Sequence, residues 1–231
     1  MVVATVRALK YNGGVSKTEL AEENLSALEA GLPNLLRHVN NMQEVFGLPV
    51  VVALNRFPTD TEAELALVEE KCAGLGVNVR LSEVWAKGGE GGEALASEVL
   101  HLLEQPSDFR FSYPEGASVT EALDAIARKV YHAAGVDLTP QAARQLKQLE
   151  EDGFGNLPVC VAKTQYSFTD DAKRLGAPDG FRITVREFTA SAGAGFVVAK
   201  TGAIMTMPGL PRVPAAENID VDDEGNITGL F

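Results

Sequence analysis

The 231-residue sequence is poor in cysteine, with only Cys72 and Cys160, and it contains no long apolar run. Two distant cysteines are too few for a disulfide framework or a zinc site, so we expect reduced thiols in the cytoplasm. The longest apolar runs, PVVVAL and GFVVA, fall well short of the roughly 18 residues that a membrane span requires. The first segment, MVVATVRALK, lacks the features of a signal peptide, and we predict a buried strand there.

Basic residues are scarce as well. Lysine and arginine number 20 against 32 aspartates and glutamates, which gives a formal net charge of −12. This balance argues against nucleic acid and anionic membranes as partners, because both attract basic proteins. A few converging cations can still bind a small anion. The hydrophobic content of 45% is that of a globular protein with a sizeable core.

Strand and helix patterns alternate over the first 105 residues. Capping boxes at Ser16 with Glu19 and at Thr61 with Glu64 predict the starts of two helices, the first running to about Asn40. The segments VVATV, GLPVVVALN and VNVRLSEV have the apolar character of buried strands, and EALASEVLHLLEQ that of a helix. We predict loops at KYNGGVS and WAKGGEGG. This alternation indicates βαβ units and a parallel sheet.

The pattern changes from Phe109 onward. An amphipathic helix is predicted over SVTEALDAIARKVYHAAG, and a second helix is predicted with Thr139 as N-cap and Pro140 in its first position. The remaining sequence is rich in strand patterns. We therefore predict an α/β fold in which residues 1–107 form a parallel sheet with flanking helices. Residues 108–231 form a smaller α/β lobe.

Two loops that follow predicted strands attract attention as ligand sites, NRFPTDT and WAKGGEGG. In parallel sheets ligands bind at the carboxyl ends of the strands, and both loops leave strands at that edge. Because Asp60 and two threonines compete to cap the next helix, we expect Phe57 and Pro58 on the loop rim. Trp85 has two interpretations: a buried indole beside a turn, or a wall that stacks on a flat ring. A stacking contact contributes roughly 0.5–1.5 kcal/mol beyond area burial.

Several other motifs favour ordinary structural roles. In KGGEGG the lysine precedes the glycines, so the segment fits a phosphate-binding loop poorly. SAGAGF is predicted to be a turn between strands. DVDDEGN resembles a calcium loop but lacks the final glutamate, and a hairpin is favoured. The three histidines lie in predicted helices without metal-ligand spacing, namely His38, His101 and His132.

Several blocks together resemble the formate–tetrahydrofolate ligase family, and they span the sequence from end to end. These blocks are ATVRALKYNGG, ALNRFPTDTEAEL, EVWAKGGEGG, VCVAKTQYSFTDD, FTASAGAGFVV and TGAIMTMPGLP. The resemblance implies a P-loop NTPase-like parallel sheet and the ATP-dependent condensation of formate with tetrahydrofolate through formyl phosphate. It also implies a homo-oligomer, typically a tetramer, and leaves a monovalent cation open.

The resemblance implies a folate-binding site as well. Its aromatic walls would be Phe57 and Trp85, and the residues beside them would be Pro58, Leu81, Lys87 and Gly88. The family's ATP and magnesium site contains the pattern T-P-x-G-E-G-K-T-T, and the sequence contains no Gly-Lys-Thr or Gly-Lys-Ser. We therefore expect the chain to be a C-terminal portion of the ligase that is inactive alone. No catalytic residue and no metal ligand is assigned.

Two alternatives remain open at this stage. The first is a non-catalytic α/β interaction or oligomerisation module that retains the ligase fold without binding a ligand. The second, more distant, is a generic nucleotide-binding α/β protein. The block KTQYS, from Lys163 to Ser167, has packing as its default interpretation.

Overall fold

A parallel three-stranded sheet forms the first part of the chain. In the computed structural model, which describes residues 1–202, 204 and 212–229, its strands lie in the order β1-β2-β3. The strands are β1 (Val2–Ala4), β2 (Val51–Asn55) and β3 (Asn78–Ser82). Five helices accompany them: α1 (Val6–Asn12), α2 (Leu25–Asn40), α3 (Glu62–Ala73), α4 (Val84–Lys87) and α5 (Glu93–Leu103). The predicted parallel sheet is confirmed.

The central strand β2 is buried over Val51–Leu54, as its continuous apolar run predicts. It pairs with both neighbours in parallel, with Val2 opposite Val52 and Asn55 opposite Ser82. The helix α3 begins with the predicted capping box: the hydroxyl of Thr61 accepts from the backbone N–H of Glu64, whose carboxylate accepts in return. The capping box predicted at Thr61 and Glu64 is therefore confirmed.

Three predictions near the start of the chain are wrong. The segment predicted as the loop KYNGGVS begins inside α1, which ends only at Asn12. Ser16 and Glu19 do not cap a helix; α2 starts at Leu25, where the side chain of Asn24 accepts from the N–H of Ala27. The first strand is also less buried than predicted, because Val3 is 63% exposed.

The second part of the chain contains a mixed four-stranded sheet with the order β4-β6-β7-β5. Its strands are β4 (Gly135–Leu138), β5 (Val159–Ala162), β6 (Arg182–Ser191) and β7 (Phe196–Thr201). Its helices are α6 (Val119–Ala125), extended by a π-helical turn over Ile126–Val130, and α7 (Pro140–Glu151). Thr139 caps α7 as predicted. The α/β fold with a second α/β lobe is confirmed, and the boundary at 107/108 stays a prediction.

Two predicted turns are confirmed in this part. SAGAGF joins β6 to β7 through a short 3-10 turn and Gly195, whose φ is +73°. DVDDEGN joins β8 (Asp220–Val221) to β9 (Ile227–Thr228) as a hairpin, with Asp222 accepting from the backbone of Glu224 and Asn226. Most of the TGAIMTMPGLP block, namely residue 203 and residues 205–211, lies outside the described residues.

The two parts contact each other through α2 and residues 176–179. The guanidinium of Arg37 donates to the carbonyls of Ala177 and Pro178 and to the carboxylate of Asp179, and the amide of Asn34 donates to the carbonyl of Gly176. No helix among the described residues is both long and apolar enough to cross a membrane.

Candidate functional site

The loops after β2 and β3 lie side by side at the carboxyl edge of the parallel sheet. Directly beyond the last paired residues, the N–H of Arg56 donates to the carbonyl of Ser82 at 3.1 Å. The Arg56 guanidinium also contacts Glu83 at 3.5 Å and Glu62 at 2.6 Å. Backbone pairing and one shared arginine therefore hold the two predicted ligand loops together.

The loop after β2 carries Phe57 in a half-buried position. Its N–H donates to Oδ2 of Asp60 at 2.8 Å, and its ring lies under the Arg7 guanidinium, with 4.2 Å between Cζ and the ring centroid. Arg7 also donates to the Thr59 hydroxyl. Burial raises the pKa of Asp60, and the N–H of Phe57 opposes that shift. Oδ1 of Asp60 is buried and has no hydrogen-bond partner among the residues that the structure describes.

The segment WAKGGEGG is helical, so the prediction of an irregular loop is wrong. It forms α4 followed by a 3-10 turn over Gly88–Gly92. The turn folds back onto its own start, since the N–H of Glu83 donates to the carbonyl of Gly91 at 3.0 Å. A Cβ at Gly91 would lie 2.5 Å from the Glu83 carbonyl group, so only glycine allows this approach.

Trp85 lies on α4 with 86% of its surface exposed. The interpretation of a buried indole beside a turn is therefore wrong. Large aromatic side chains normally contribute their area to a core or an interface. Trp85 instead leaves most of its ring open to solvent at this edge of the sheet.

Lys87 is not a lone cation. Its ammonium lies 2.6 Å from a carboxylate oxygen of Glu83, one helical turn earlier. This hydrogen bond lowers the pKa of Glu83; burial opposes the shift, and the charges of Lys87 and Arg56 add to it. Lys87 and Glu83 thereby brace the turn that carries Trp85, and half of the lysine side chain stays exposed.

The other predicted folate-site residues divide between the two loops. Pro58 is exposed beside Phe57. Leu81 is half-buried against the core, and with Lys87 it lines a cavity of 370 Å³. Gly88 has φ +61° and ψ −143°, a conformation that residues with a Cβ rarely adopt. The structure thus brings Leu81 and Lys87 to one cavity, and it places Phe57 on the neighbouring loop.

The glycine-rich turn does not fit a nucleotide phosphate. Gly88–Gly92 is wound into a 3-10 turn, and the lysine that precedes it is paired with Glu83. Among the described residues, no group of three or more His, Cys, Asp or Glu side chains could hold a metal ion. His38 and His101 lie in helices as predicted, whereas His132 follows the π-helical turn with φ +60°, so its predicted helical position is wrong.

Sequence reasoning missed a second cavity, of 610 Å³, which we call the Lys163 cavity. It lies between α1, α2 and residues 163–168. Its lining residues include Arg7, Tyr11, Lys17, His38, Lys163 and Tyr166. Two sequence blocks supply its walls: ATVRALKYNGG contains Arg7 and Tyr11, and KTQYS contains Lys163 and Tyr166.

Lys163 holds together the loop that forms the wall over residues 163–168. Its ammonium donates to the carbonyls of Thr164 at 3.0 Å, of Thr169 at 2.8 Å, and of Ser167. Burial lowers the pKa of Lys163 to about 8, against the opposing charge of Asp170. Because an ammonium has three protons, all of them are used in holding this loop.

Taken together, the parallel sheet and the paired loops at its carboxyl edge define an α/β protein with a candidate ligand site at that edge. The family model described as formate–tetrahydrofolate ligase matches residues 1–231, which is the whole sequence. The chain belongs to the formate–tetrahydrofolate ligase family, whose members are ATP-dependent ligases.

Proposed function

We propose that this chain forms the folate-binding wall of a formate–tetrahydrofolate ligase, which makes 10-formyltetrahydrofolate from formate, tetrahydrofolate and ATP. Phe57 and Trp85 present the flat faces to the folate ring, and Pro58 and Leu81 line the slot beside them. The observation that carries the proposal is the 86% exposure of Trp85, on the loop next to that of Phe57. Family membership supplies the chemical identity of the ring.

The two loops would contribute to folate binding in different ways. The Arg7 guanidinium already lies over the Phe57 ring, and this cation–π contact fixes the ring in place. Trp85 is free to contact a ligand over most of its surface. We therefore expect Trp85 to contribute more to folate affinity, and Phe57 to set the position of the ring.

Lys87 and Gly88 support the Trp85 turn in this proposal. The Lys87–Glu83 pair braces α4, and the exposed part of the lysine offers a cation to an anionic ligand. The conformation of Gly88 lets the chain reverse directly after α4 without a side chain in the slot.

We propose that ATP, with magnesium, binds to a part of the ligase outside these 231 residues. The sequence contains no Gly-Lys-Thr or Gly-Lys-Ser, and its glycine-rich turn does not fit a phosphate. The chain is then a C-terminal portion of the enzyme, and it holds the folate while other residues activate formate. We expect no ATP-dependent formation of 10-formyltetrahydrofolate by the chain alone, and such turnover would contradict this assignment.

We also propose that the assembled ligase is a homo-oligomer. The support is exposed apolar surface on one helix: along α5, Leu100 is 65% exposed and Leu103 is 74% exposed. Light scattering measures the oligomeric state. An oligomer that shows no response to folate would favour the alternative of a non-catalytic interaction module.

We propose a cytoplasmic location for the chain. Both cysteines are free, which supports a reducing compartment.

Tetrahydrofolate titration tests the folate wall directly. Trp85 is the only tryptophan, so all indole emission reports on this site. We expect saturable quenching by tetrahydrofolate in the wild-type chain. By calorimetry, Trp85→Ala should weaken binding about tenfold or more, since one stacking face is lost.

Phe111→Ala is the matched control, because it removes an equally exposed aromatic ring far from these loops in sequence. This variant should bind tetrahydrofolate like the wild type. Equal affinity in all three proteins, or no saturable quenching in the wild type, would overturn the folate-wall proposal.

A further inference from the structure

The Lys163 cavity collects positive charge in an acidic protein. Arg7, Lys17 and Lys163 line it, and no aspartate or glutamate does so among the described residues. The chain as a whole has a formal net charge of −12. The charge of the cavity lining is positive, whereas the net charge of the chain is negative. Such a cavity favours an anionic ligand.

Within the described part of the chain, the three cations of the cavity have no carboxylate partners. Among the described residues, no carboxylate oxygen lies within 4.0 Å of a charged nitrogen of Arg7, Lys17 or Lys163. Other cations of the chain do have such partners: Lys10, Arg37, Arg80 and Arg182 are all paired. Among the described residues, no carboxylate therefore forms a direct ion pair with the charges in the cavity.

Arg7 carries a second sign of a missing partner. Its Nε is buried and donates no hydrogen bond to any described residue. Buried donors in native proteins are nearly always paired with the protein, with water or with a ligand. Nε itself has almost no accessible surface, so Arg7 contributes its positive charge to the cavity and not a hydrogen bond from Nε.

Aromatic rings give the cavity a second recognition element. The ammonium of Lys17 lies 5.5 Å from the ring centroid of Tyr11 and 5.8 Å from that of Tyr166. Two tyrosines beside an exposed lysine suit a ligand that combines an aromatic ring with a carboxylate. Lys163 adds charge but no free donor, because its three protons are bound to loop carbonyls.

Arg7 is shared between the cavity and the proposed folate wall. Arg7 lines the cavity, and the same guanidinium lies 4.2 Å from the centroid of the Phe57 ring. A ligand whose ring stacks near Phe57 can therefore extend past Arg7 toward Tyr11 and Lys17. The volume of 610 Å³ is that of a small-molecule site.

We propose that the Lys163 cavity binds the p-aminobenzoyl-glutamate tail of the folate, with its carboxylates toward Arg7 and Lys17 and its ring between the tyrosines. This inference rests on the proposed function, since that function supplies a ligand with an anionic aromatic tail. It adds a site that the sequence had suggested only as packing.

The two halves of the folate can be tested separately. Tetrahydropterin lacks the tail and probes the Trp85 wall by indole quenching. p-Aminobenzoyl-glutamate lacks the pterin and probes the cavity by calorimetry on the full 231-residue chain. We expect it to bind saturably, and raising the salt concentration should weaken the binding because charges are involved.

Charge reversal at Lys17 is the main variant. Lys17→Glu should weaken p-aminobenzoyl-glutamate binding about five- to tenfold and leave quenching by tetrahydropterin unchanged. Tyr166→Ala should also weaken it. Lys147→Glu is the matched control: Lys147 is an exposed lysine of α7 that does not line the cavity, and its variant should bind like the wild type.

The outcomes separate this inference from the folate wall. Quenching by tetrahydropterin without binding of p-aminobenzoyl-glutamate would overturn the tail site and leave the folate wall in place. Binding of p-aminobenzoyl-glutamate without quenching by tetrahydropterin would overturn the folate wall and leave the tail site in place. Inorganic phosphate or ATP bound in its place, with the same sensitivity to Lys17→Glu, would show a phosphate site and overturn the tail proposal.

Discussion

The ammonium of Lys10 lies 2.8 Å from Oε1 of Glu64, and both side chains are fully buried. Lys10 also donates to the carbonyl of Glu22, and the Glu64 carboxylate accepts from the N–H groups of Asn24 and Thr61. One ion pair thus joins α1 to the starts of α2 and α3. Through these elements it holds Arg7 and the Phe57 loop in place.

Removing one partner of this pair should destabilise the chain strongly. Lys10→Met leaves a buried carboxylate without its cation, and such losses cost roughly 3–5 kcal/mol. Equilibrium urea unfolding measures the change. Adding Glu64→Gln should recover part of the stability, because the unpaired charge is then gone.

Lys71→Met is the control for that measurement. It breaks the exposed pair between Lys71 and Glu29, and exposed pairs contribute little in water. If Lys10→Met and Lys71→Met unfold at the same urea concentration, the buried pair does not organise the three helices.

Stability should fall in acid as Glu64 is protonated. Burial raises the pKa of Glu64, but hydrogen bonds from Lys10, Asn24 and Thr61 outweigh burial and lower it below the ordinary value of 4.5. A carboxyl group with a lowered pKa in the folded state stabilises the fold above its unfolded pKa. That contribution is lost as the pH falls from about 4.5 through the folded pKa. Unfolding measured across this range should show a smaller acid loss in Glu64→Gln than in the wild type.

Both the success and the failure of the sequence prediction at helix starts have physical causes. Thr61 and Glu64 form their capping box because the chemistry is local. The helix that follows buries Leu65, Val68 and Cys72 in the core. Ser16 and Glu19 have the same spacing, yet α2 begins at Leu25. The buried Lys10–Glu64 pair binds the carbonyl of Glu22 and the N–H of Asn24, and this contact between distant segments decides where α2 starts.

The candidate site, like the helix starts, was predictable only in part from the sequence. Strand patterns placed Phe57 and Trp85 at one edge of a parallel sheet, because carboxyl ends of parallel strands coincide. The exposure of Trp85 depends on the turn that closes between Glu83 and Gly91, and a sequence pattern does not specify it. The Lys163 cavity joins Arg7 to residues more than 150 positions away, so no local signal could assemble it.

The close approach at Gly91 should make this glycine irreplaceable. In Gly91→Ala the new Cβ would meet the Glu83 carbonyl group at 2.5 Å, so the turn must shift. Overpacking of this kind costs roughly 1–3 kcal/mol. Thermal unfolding should show the loss, and the indole emission of Trp85 should change because its turn moves.

Gly89→Ala is the matched control within the same turn. A Cβ at Gly89 meets no atom within 4 Å, and we expect nearly unchanged stability and emission. Equal effects of the two alanines would show that the glycines matter for flexibility alone.

The two cysteines should differ sharply in reactivity. Cys160 is exposed, whereas Cys72 is fully buried in the core behind the parallel sheet. Burial raises the pKa of Cys72 to about 11, so little reactive thiolate forms near neutral pH. A thiol reagent such as DTNB should label Cys160 alone in the native chain and both residues in urea. Rapid labelling of Cys72 in the Cys160→Ser variant would contradict the packing of α3.

Trp85 should behave as a solvent-exposed indole until folate binds. Because the ring is 86% exposed, acrylamide should quench its emission nearly as efficiently in the native chain as in the urea-unfolded chain. Tetrahydrofolate should then protect the ring, since a stacked ligand blocks collisions with the quencher. Strong protection without ligand would show that the indole is covered by the protein itself. In that case the exposure that supports the folate wall would be absent in solution.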